Sequence, residues 1–131
     1  MKLEEVSIGS ELYDSALELR YHLLFKQSGL PRSAVPDASE EASTHLSLSD
    51  NGILVGYSRM SALGADDYRI SQVVVSPKYQ GCGHSSTLLC YLMNKAIRAG
   101  AATIGLNSQL PIVGLYEKLG FKPIGEVYTI E

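Results

Sequence analysis

Two stretches of the chain carry residue types whose spacing suits chemistry. Gln80-Gly81-Cys82-Gly83-His84-Ser85-Ser86 is a glycine-bearing turn that runs into a helical pattern with Leu88, Leu89, Leu92, Met93, Ala96 and Ile97 on one face. A glycine turn at a helix start presents several free backbone N–H groups at the positive end of the helix dipole, a seat for a phosphate or pyrophosphate. On spacing alone, an ordinary tight strand-to-helix turn accounts for the same glycines. The stretch has no Gly-Lys-Ser/Thr ending, so it lacks the lysine and hydroxyl of nucleotide triphosphatases, and the third glycine of the dinucleotide fingerprint is missing. The second stretch, Leu115-Tyr116-Glu117-Lys118-Leu119-Gly120-Phe121, holds Tyr116. Its phenol serves either as a hydrogen-bonding acid or as an aromatic packing beside Leu115 and Leu119.

Other reactive residues form no comparable group. His22, His45 and His84 are scattered, and Cys82 and Cys90 are eight residues apart, so no metal site is expected. No histidine is placed by sequence to activate Cys82 as a nucleophile.

Taken with its strand, the first stretch reads Val73-Val74-Val75-Ser76-Pro77-Lys78-Tyr79-Gln80-Gly81-Cys82-Gly83-His84-Ser85. It resembles motif A of the GNAT family of N-acetyltransferases, Gln/Arg-x-x-Gly-x-Gly/Ala after an apolar strand ending in x-Pro. Gln80 and Gly83 match, and Ser85 stands where the family usually has glycine or alanine. Leu115 to Phe121 resembles a second hallmark, Tyr-Glu-Lys-x-Gly-Phe, and Asn107 ends the intervening strand, where the family often has asparagine. The resemblance implies acetyl-CoA as co-substrate and acetyl transfer to a primary amine of a small molecule or peptide. It implies that Gln80, Gly81, Cys82, Gly83, His84, Ser85 and Ser86 hold the pyrophosphate. The backbone of Val73, Val74 and Val75 would then receive the pantetheine arm as an added strand, with Asn107 beside it. Tyr116 becomes both a cofactor contact and the catalytic residue, donating to the departing thiolate. Many relatives carry a glutamate base on the central strand; this chain has Ser71 and Gln72, neither of which takes a proton at neutral pH. A water relay, His45 or an amine arriving neutral remain as alternatives. The missing acid also leaves a second reading, a domain of the same fold that binds CoA without transferring acetyl, as a sensor or interaction module.

Bulk properties limit the partners. A chain of 131 residues is expected to form one domain, residues 1–131, and 45% hydrophobic with 19% charged residues is ordinary for a globular protein. A net charge of −3 argues against a nucleic-acid partner. No apolar run approaches the roughly 18 residues of a membrane span, and the acidic start Met1-Lys2-Leu3-Glu4-Glu5 lacks a signal-peptide core, so a cytoplasmic protein with reduced thiols is expected.

The elements that must position these residues read as β-α-β-β-β-α-β-α-β, an α/β (α+β) chain with a mixed central sheet flanked by helices. Val6 to Ile8 is a first strand, and Ser10 caps a helix with Leu12, Ala16, Leu19 and Leu23 on one face, stopped by Gly29 and Pro31. Residues 31–42 read as a loop with one helical turn near Ala38 to Ala42. Its acids Asp37, Glu40 and Glu41 either attract a cationic amine or simply face water. Thr44 to Ser49 and Ile53 to Leu63 flank the hairpin signal Asp50-Asn51-Gly52. Ile70 to Ser76 is the central strand, Thr103 to Asn107 the next, and a brief helix from Ser108 ends at Gly120. Phe121 to Ile130 reads as one last strand. The family's usual seventh strand is therefore expected to be missing, so the last strand either pairs in parallel with Thr103 to Asn107 or leaves an apolar edge for a second subunit to cover, the homodimer being the favoured expectation.

Overall fold

The computed structural model describes residues 1–107, 122–124 and 127–130. Its regular elements are β1 (Lys2–Val6), α1 (Glu11–Arg20), β2 (Thr44–Asp50), β3 (Ile53–Ala62), β4 (Asp67–Val75), α2 (His84–Arg98), β5 (Thr103–Asn107), β6 (Lys122–Ile124) and β7 (Val127–Ile130). The strands form one mixed sheet in the order β1-β2-β3-β4-β5-β7-β6. Each neighbouring pair is antiparallel except β4 and β5, which are parallel and joined through α2.

Local chemistry explains most boundaries. The Ser10 hydroxyl accepts the Tyr13 N–H at 3.3 Å, and Glu11 and Asp14 sit in the first turn, where the helix dipole favours acids. Beyond Arg20 the helix loosens into a π turn at Tyr21–Phe25 and a 3-10 turn at Lys26–Ser28, and Gly29 ends it with φ +73°. In the β2–β3 hairpin, Asn51 (φ 51°) and Gly52 (φ 79°) are both left-handed, as a two-residue type I′ turn requires.

The two helices cover opposite faces of the sheet. Leu88, Leu89, Leu92 and Ala96 of α2 pack on Leu46, Leu48, Val55, Met60, Ile70 and Val73. Each of those leucines is fully buried, which stabilises the fold by about 2 kcal/mol per side chain. On the other face Ala16 of α1 meets Tyr57 and Val74.

Three expectations are corrected. The first strand is Lys2–Val6, paired with β2 from Lys2↔Ser49 to Val6↔His45, so the charged N-terminus is itself an edge strand. Leu3 packs against the core, while Lys2, Glu4 and Glu5 keep the strand polar, as suits a sheet edge. The helical turn in the long loop falls at Arg32–Ala34, just after Pro31, whose fixed φ suits a helix start. The final segment is two strands, β6 and β7, and β7 lies between β5 and β6, antiparallel to both. The last strand is therefore present. The sequence places Gly125 within the run Phe121 to Ile130, a residue type that weakens a continuous strand. The open edge that motivated a dimer is filled from within the chain. The expected helix from Ser108 lies outside the described residues.

Candidate functional site

The sheet opens at its centre. β4 pairs with β5 from Asp67↔Thr103 to Ile70↔Leu106, whereas β4 itself continues to Val75. From Ser71 onward the strand keeps its bonds to β3 and has no pairing with β5, which leaves, among the described residues, a row of backbone groups able to receive an extended ligand. Val73, Val74 and Val75 lie on that stretch with their side chains buried, so their exposed chemistry is that of the backbone. Asn107 ends β5 across the gap.

A bulge marks the point of divergence. Tyr57 faces Val74 and Arg59 faces Ser71, so Ser58 stands opposite both Gln72 and Val73. Gln72 adopts φ 54°, an uncommon conformation for a residue with a side chain. Ile70 and Val73 point to the α2 face and Val74 to the α1 face, while Ser71 and Gln72 both contact arginines on the α1 side. Strict alternation would have separated those two neighbours.

Past the strand, a 3-10 turn at Pro77–Tyr79 leads into the glycine turn. Gly81 and Gly83 have φ near +80°, which L-residues rarely adopt, and a Cβ on either would meet no atom within 4 Å. α2 starts at His84 with Gly83 as its cap and no side-chain acceptor on its first N–H groups. Among the described residues, no N–H from Gly81 to Ser86 donates to a backbone carbonyl outside α2, and the first turn holds no acid. These orphan donors, together with the dipole, fit a pyrophosphate. The Gln80 side chain donates to the Val75 carbonyl at 3.0 Å, fixing the turn against the end of β4. Cys82 is exposed and free.

Beneath the bulge lies a buried ionic cluster that the sequence reading did not contain. Arg20, fully buried, donates from Nε to Gln72 Oε1 at 2.6 Å, from Nη1 to Glu40 Oε1 at 2.6 Å, and from Nη2 to Glu40 Oε2 at 3.1 Å. Arg59 donates from Nε to Ser71 Oγ at 3.0 Å, from Nη1 to Glu40 Oε2 at 2.7 Å, and from both Nη atoms to the Asp37 carboxylate at 2.8 and 2.6 Å. The Tyr13 hydroxyl completes the shell of Glu40 at 2.7 Å. Two cations and two anions leave the cluster neutral, as its burial demands. Glu40 is thus bound inside the protein, and Asp37, though its side chain is 44% exposed, is paired with Arg59, which corrects the expectation that these two are free to attract an amine; Glu41 is exposed. His45 is structural as well. The Glu40 carbonyl can only accept, so Nε2 carries the proton at 2.8 Å and Nδ1 accepts from the Tyr57 hydroxyl at 2.6 Å.

The cluster shifts the acids it contains. Burial would raise the Glu40 pKa, but the Arg20 and Tyr13 hydrogen bonds and both arginine charges outweigh it and hold the carboxyl below its ordinary range. The Arg59 hydrogen bonds do the same for Asp37. Burial and the Glu40 bond push Tyr13 up to about 12. Because both acids have folded values below their unfolded ones, their contribution is complete above the unfolded values and lost as pH falls through the folded ones. Urea midpoints should accordingly hold from pH 7 to about 5 and drop steeply below about pH 4. Asp37→Asn should flatten that drop, and a variant with an unaltered acid profile would contradict the assignment.

Sequence spacing did carry one trace of the cluster. Tyr13, Ala16 and Arg20 form the buried stripe of α1 at helical intervals of three and four, so Arg20 joins the expected face, while Leu12 and Leu19 are half-buried. An arginine on that stripe followed by acids in the next loop is a legible signal. Tyr116 lies outside the described residues.

Comparison with known proteins matches residues 25–129 to the Acetyltransferase (GNAT) domain family. The alanine N-acetyltransferase of ribosomal protein bS18 from Escherichia coli (strain K12) is 28% identical over 117 residues, covering 86% of this chain and 78% of that protein. The Bacillus subtilis (strain 168) N-acetyltransferase YitI is 24% identical over 123 residues, covering 89% and 83%. Among solved structures, Escherichia coli ElaA superposes with a TM-score of 0.80 at 19% identity, covering 98% of this chain and 97% of that one. An aminoglycoside 6′-N-acetyltransferase complexed with coenzyme A gives 0.77 at 18% identity, covering 99% and 94%.

Proposed function

The chain belongs to the GNAT acetyltransferase family, whose members are acetyl-CoA-dependent N-acetyltransferases, and from that premise we propose that it moves the acetyl group directly to a primary amine at the mouth of the β4–β5 gap. The observation that carries this placement is the parting of β4 from β5 at Ile70, immediately upstream of an uncapped helix start. The N–H groups of Gly81 to Ser86 hold the pyrophosphate, and the open edge of Val73 to Val75 orients the pantetheine arm, with Asn107 on the opposite wall. Bound acetyl-CoA supplies an activated thioester. The amine nitrogen would form the new C–N bond as the C–S bond breaks; the departing sulfur would take a proton from Tyr116, and the proton lost by the amine would return through solvent to the phenolate. The relatives act, by their names, on a protein alanine and on aminoglycosides, so the acceptor of this chain lies among small molecules or peptides.

Gly83→Glu tests the cofactor seat. Open space at Gly83 admits the side chain, its carboxylate meets the pyrophosphate charge, and the positive φ adds about 1 kcal/mol of strain. Calorimetric affinity for CoA should fall by roughly a hundred-fold or more, the product of charge repulsion and occlusion, while circular dichroism stays native. Undiminished affinity refutes the placement. Release of free thiol from acetyl-CoA in the presence of an amine separates the enzyme from a module that only binds CoA.

A further inference from the structure

Gln72 and Ser71 sit side by side at the bulge, two and one residues past the last β4–β5 pair, and each has its accepting atom occupied by an arginine. Arginine is a donor only, so Gln72 must turn its carbonyl oxygen to Arg20, and its amide nitrogen faces the other way. That Nε2 makes no hydrogen bond among the described residues, although Gln72 is 7% exposed, and it is not one of the fully enclosed polar atoms. Ser71 Oγ likewise accepts from Arg59 Nε, and its own hydrogen remains free to donate. Each side chain therefore has its oxygen engaged by an arginine and an unused donor beside it, the Gln72 amide and the Ser71 hydroxyl. Both carboxylates of the cluster are already balanced by arginines, Glu40 by Arg20 and Arg59 and the partly exposed Asp37 by Arg59. His45 has both ring nitrogens engaged too.

We infer that the Gln72 amide, with Ser71 beside it, selects acceptors carrying a carbonyl next to a weakly basic amine, the α-amino end of a peptide or amino-acid amide, over lysine side chains and polycations. This rests on the placement of acetyl transfer at the β4–β5 gap. Two independent arguments converge on the same class. A donor pair at the bulge complements a carbonyl oxygen adjacent to the reacting nitrogen, and leaving buried donors unmatched costs affinity. A site without a free base among its described residues also favours an amine that is already neutral. An α-amine has a pKa of about 7.7–8.0 and a lysine about 10.4, so at pH 7.5 roughly a third of the former and a thousandth of the latter can attack. The ratio of neutral fractions is therefore about 300.

The test compares alanylglycine amide, Nα-acetyl-lysine amide and spermidine at pH 7.5, as substrates with acetyl-CoA and as ligands of the CoA-saturated protein by calorimetry. The dipeptide amide should lead by on the order of a hundred-fold in kcat/KM, and should also bind most tightly. Gln72→Met removes the outward donor, and Gln72→Glu replaces it with an oxygen while keeping an acceptor for Arg20, so at least the second retains the fold. In each, the dipeptide-to-spermidine binding ratio should fall about ten-fold, the worth of one hydrogen bond. Equal or tighter binding of blocked lysine or spermidine overturns the inference, as does a ratio within two-fold of wild type in both variants. Selective dipeptide binding without turnover would sustain it while refuting acetyl transfer. Turnover without selectivity would do the reverse.

Discussion

Glu40→Ala should destabilise the protein by about 3 kcal/mol, the low end of the cost of breaking a buried ion pair by deleting one partner. The carboxylate is the hub of the cluster: it accepts from Arg20, Arg59 and Tyr13, and its side chain is only 6% exposed. Its removal leaves Arg20 with Gln72 and the Val35 carbonyl, and Arg59 with Asp37 and Ser71, so neither guanidinium is stripped bare. That residual partnering is why the low end applies. For a domain whose total stability is about 5–15 kcal/mol, the loss is a large share. Glu40→Gln keeps accepting capacity but not charge and should lose less. Urea midpoints at pH 7 measure both. A Glu40→Ala loss under about 1 kcal/mol would mean that the desolvation of four charges cancels their attraction, leaving the cluster as a positioning device alone.

Tyr116→Phe should lower turnover by about a hundred-fold, within the range of roughly 10²–10⁴ for a general acid. The substitution keeps the ring and removes the hydroxyl alone. Calorimetric affinity for CoA should move by less than about ten-fold, because one hydrogen bond is worth about 1 kcal/mol. Saturating acetyl-CoA with the best acceptor of the amine panel isolates the chemical step. Turnover equal to wild type would return Tyr116 to a packing role and require water to protonate the thiolate. The two substitutions are complementary, since one should alter stability with CoA binding intact and the other turnover with stability intact.

Much of the fold was readable because its signals are local. The Asn51-Gly52 turn, the Ser10 cap, the alternation of Thr44 to Ser49 and the apolar period of α2 depend on residues within a few positions of each other, and each element lies where those residues put it. The two short end strands were not readable in the same way. Three and four residues are too few for a period to emerge, and the pairing of β7 with β5 and of β6 with β7, rather than local preference, fixes them.

The glycine turn shows how far sequence alone reaches into function. Its residue types, its position between a strand and a helix, and therefore its orphan N–H groups are properties of a contiguous segment, and so was the family resemblance. The acceptor side that we infer rests on contacts made only in the folded chain. Arg20, Glu40, Arg59 and Gln72 come from a helix, a loop and two strands separated by up to 52 residues, and only folding brings them within hydrogen-bond distance. The bulge is likewise a consequence of pairing: nothing in Ser71-Gln72 announces that both side chains will share one face, because that depends on Ser58 standing opposite two residues at once. Sequence determined the backbone donors of the glycine turn, which are local to one segment. Tertiary structure decided which way the Gln72 amide turns, because a side chain's free donor is defined by the distant arginine that takes its acceptor.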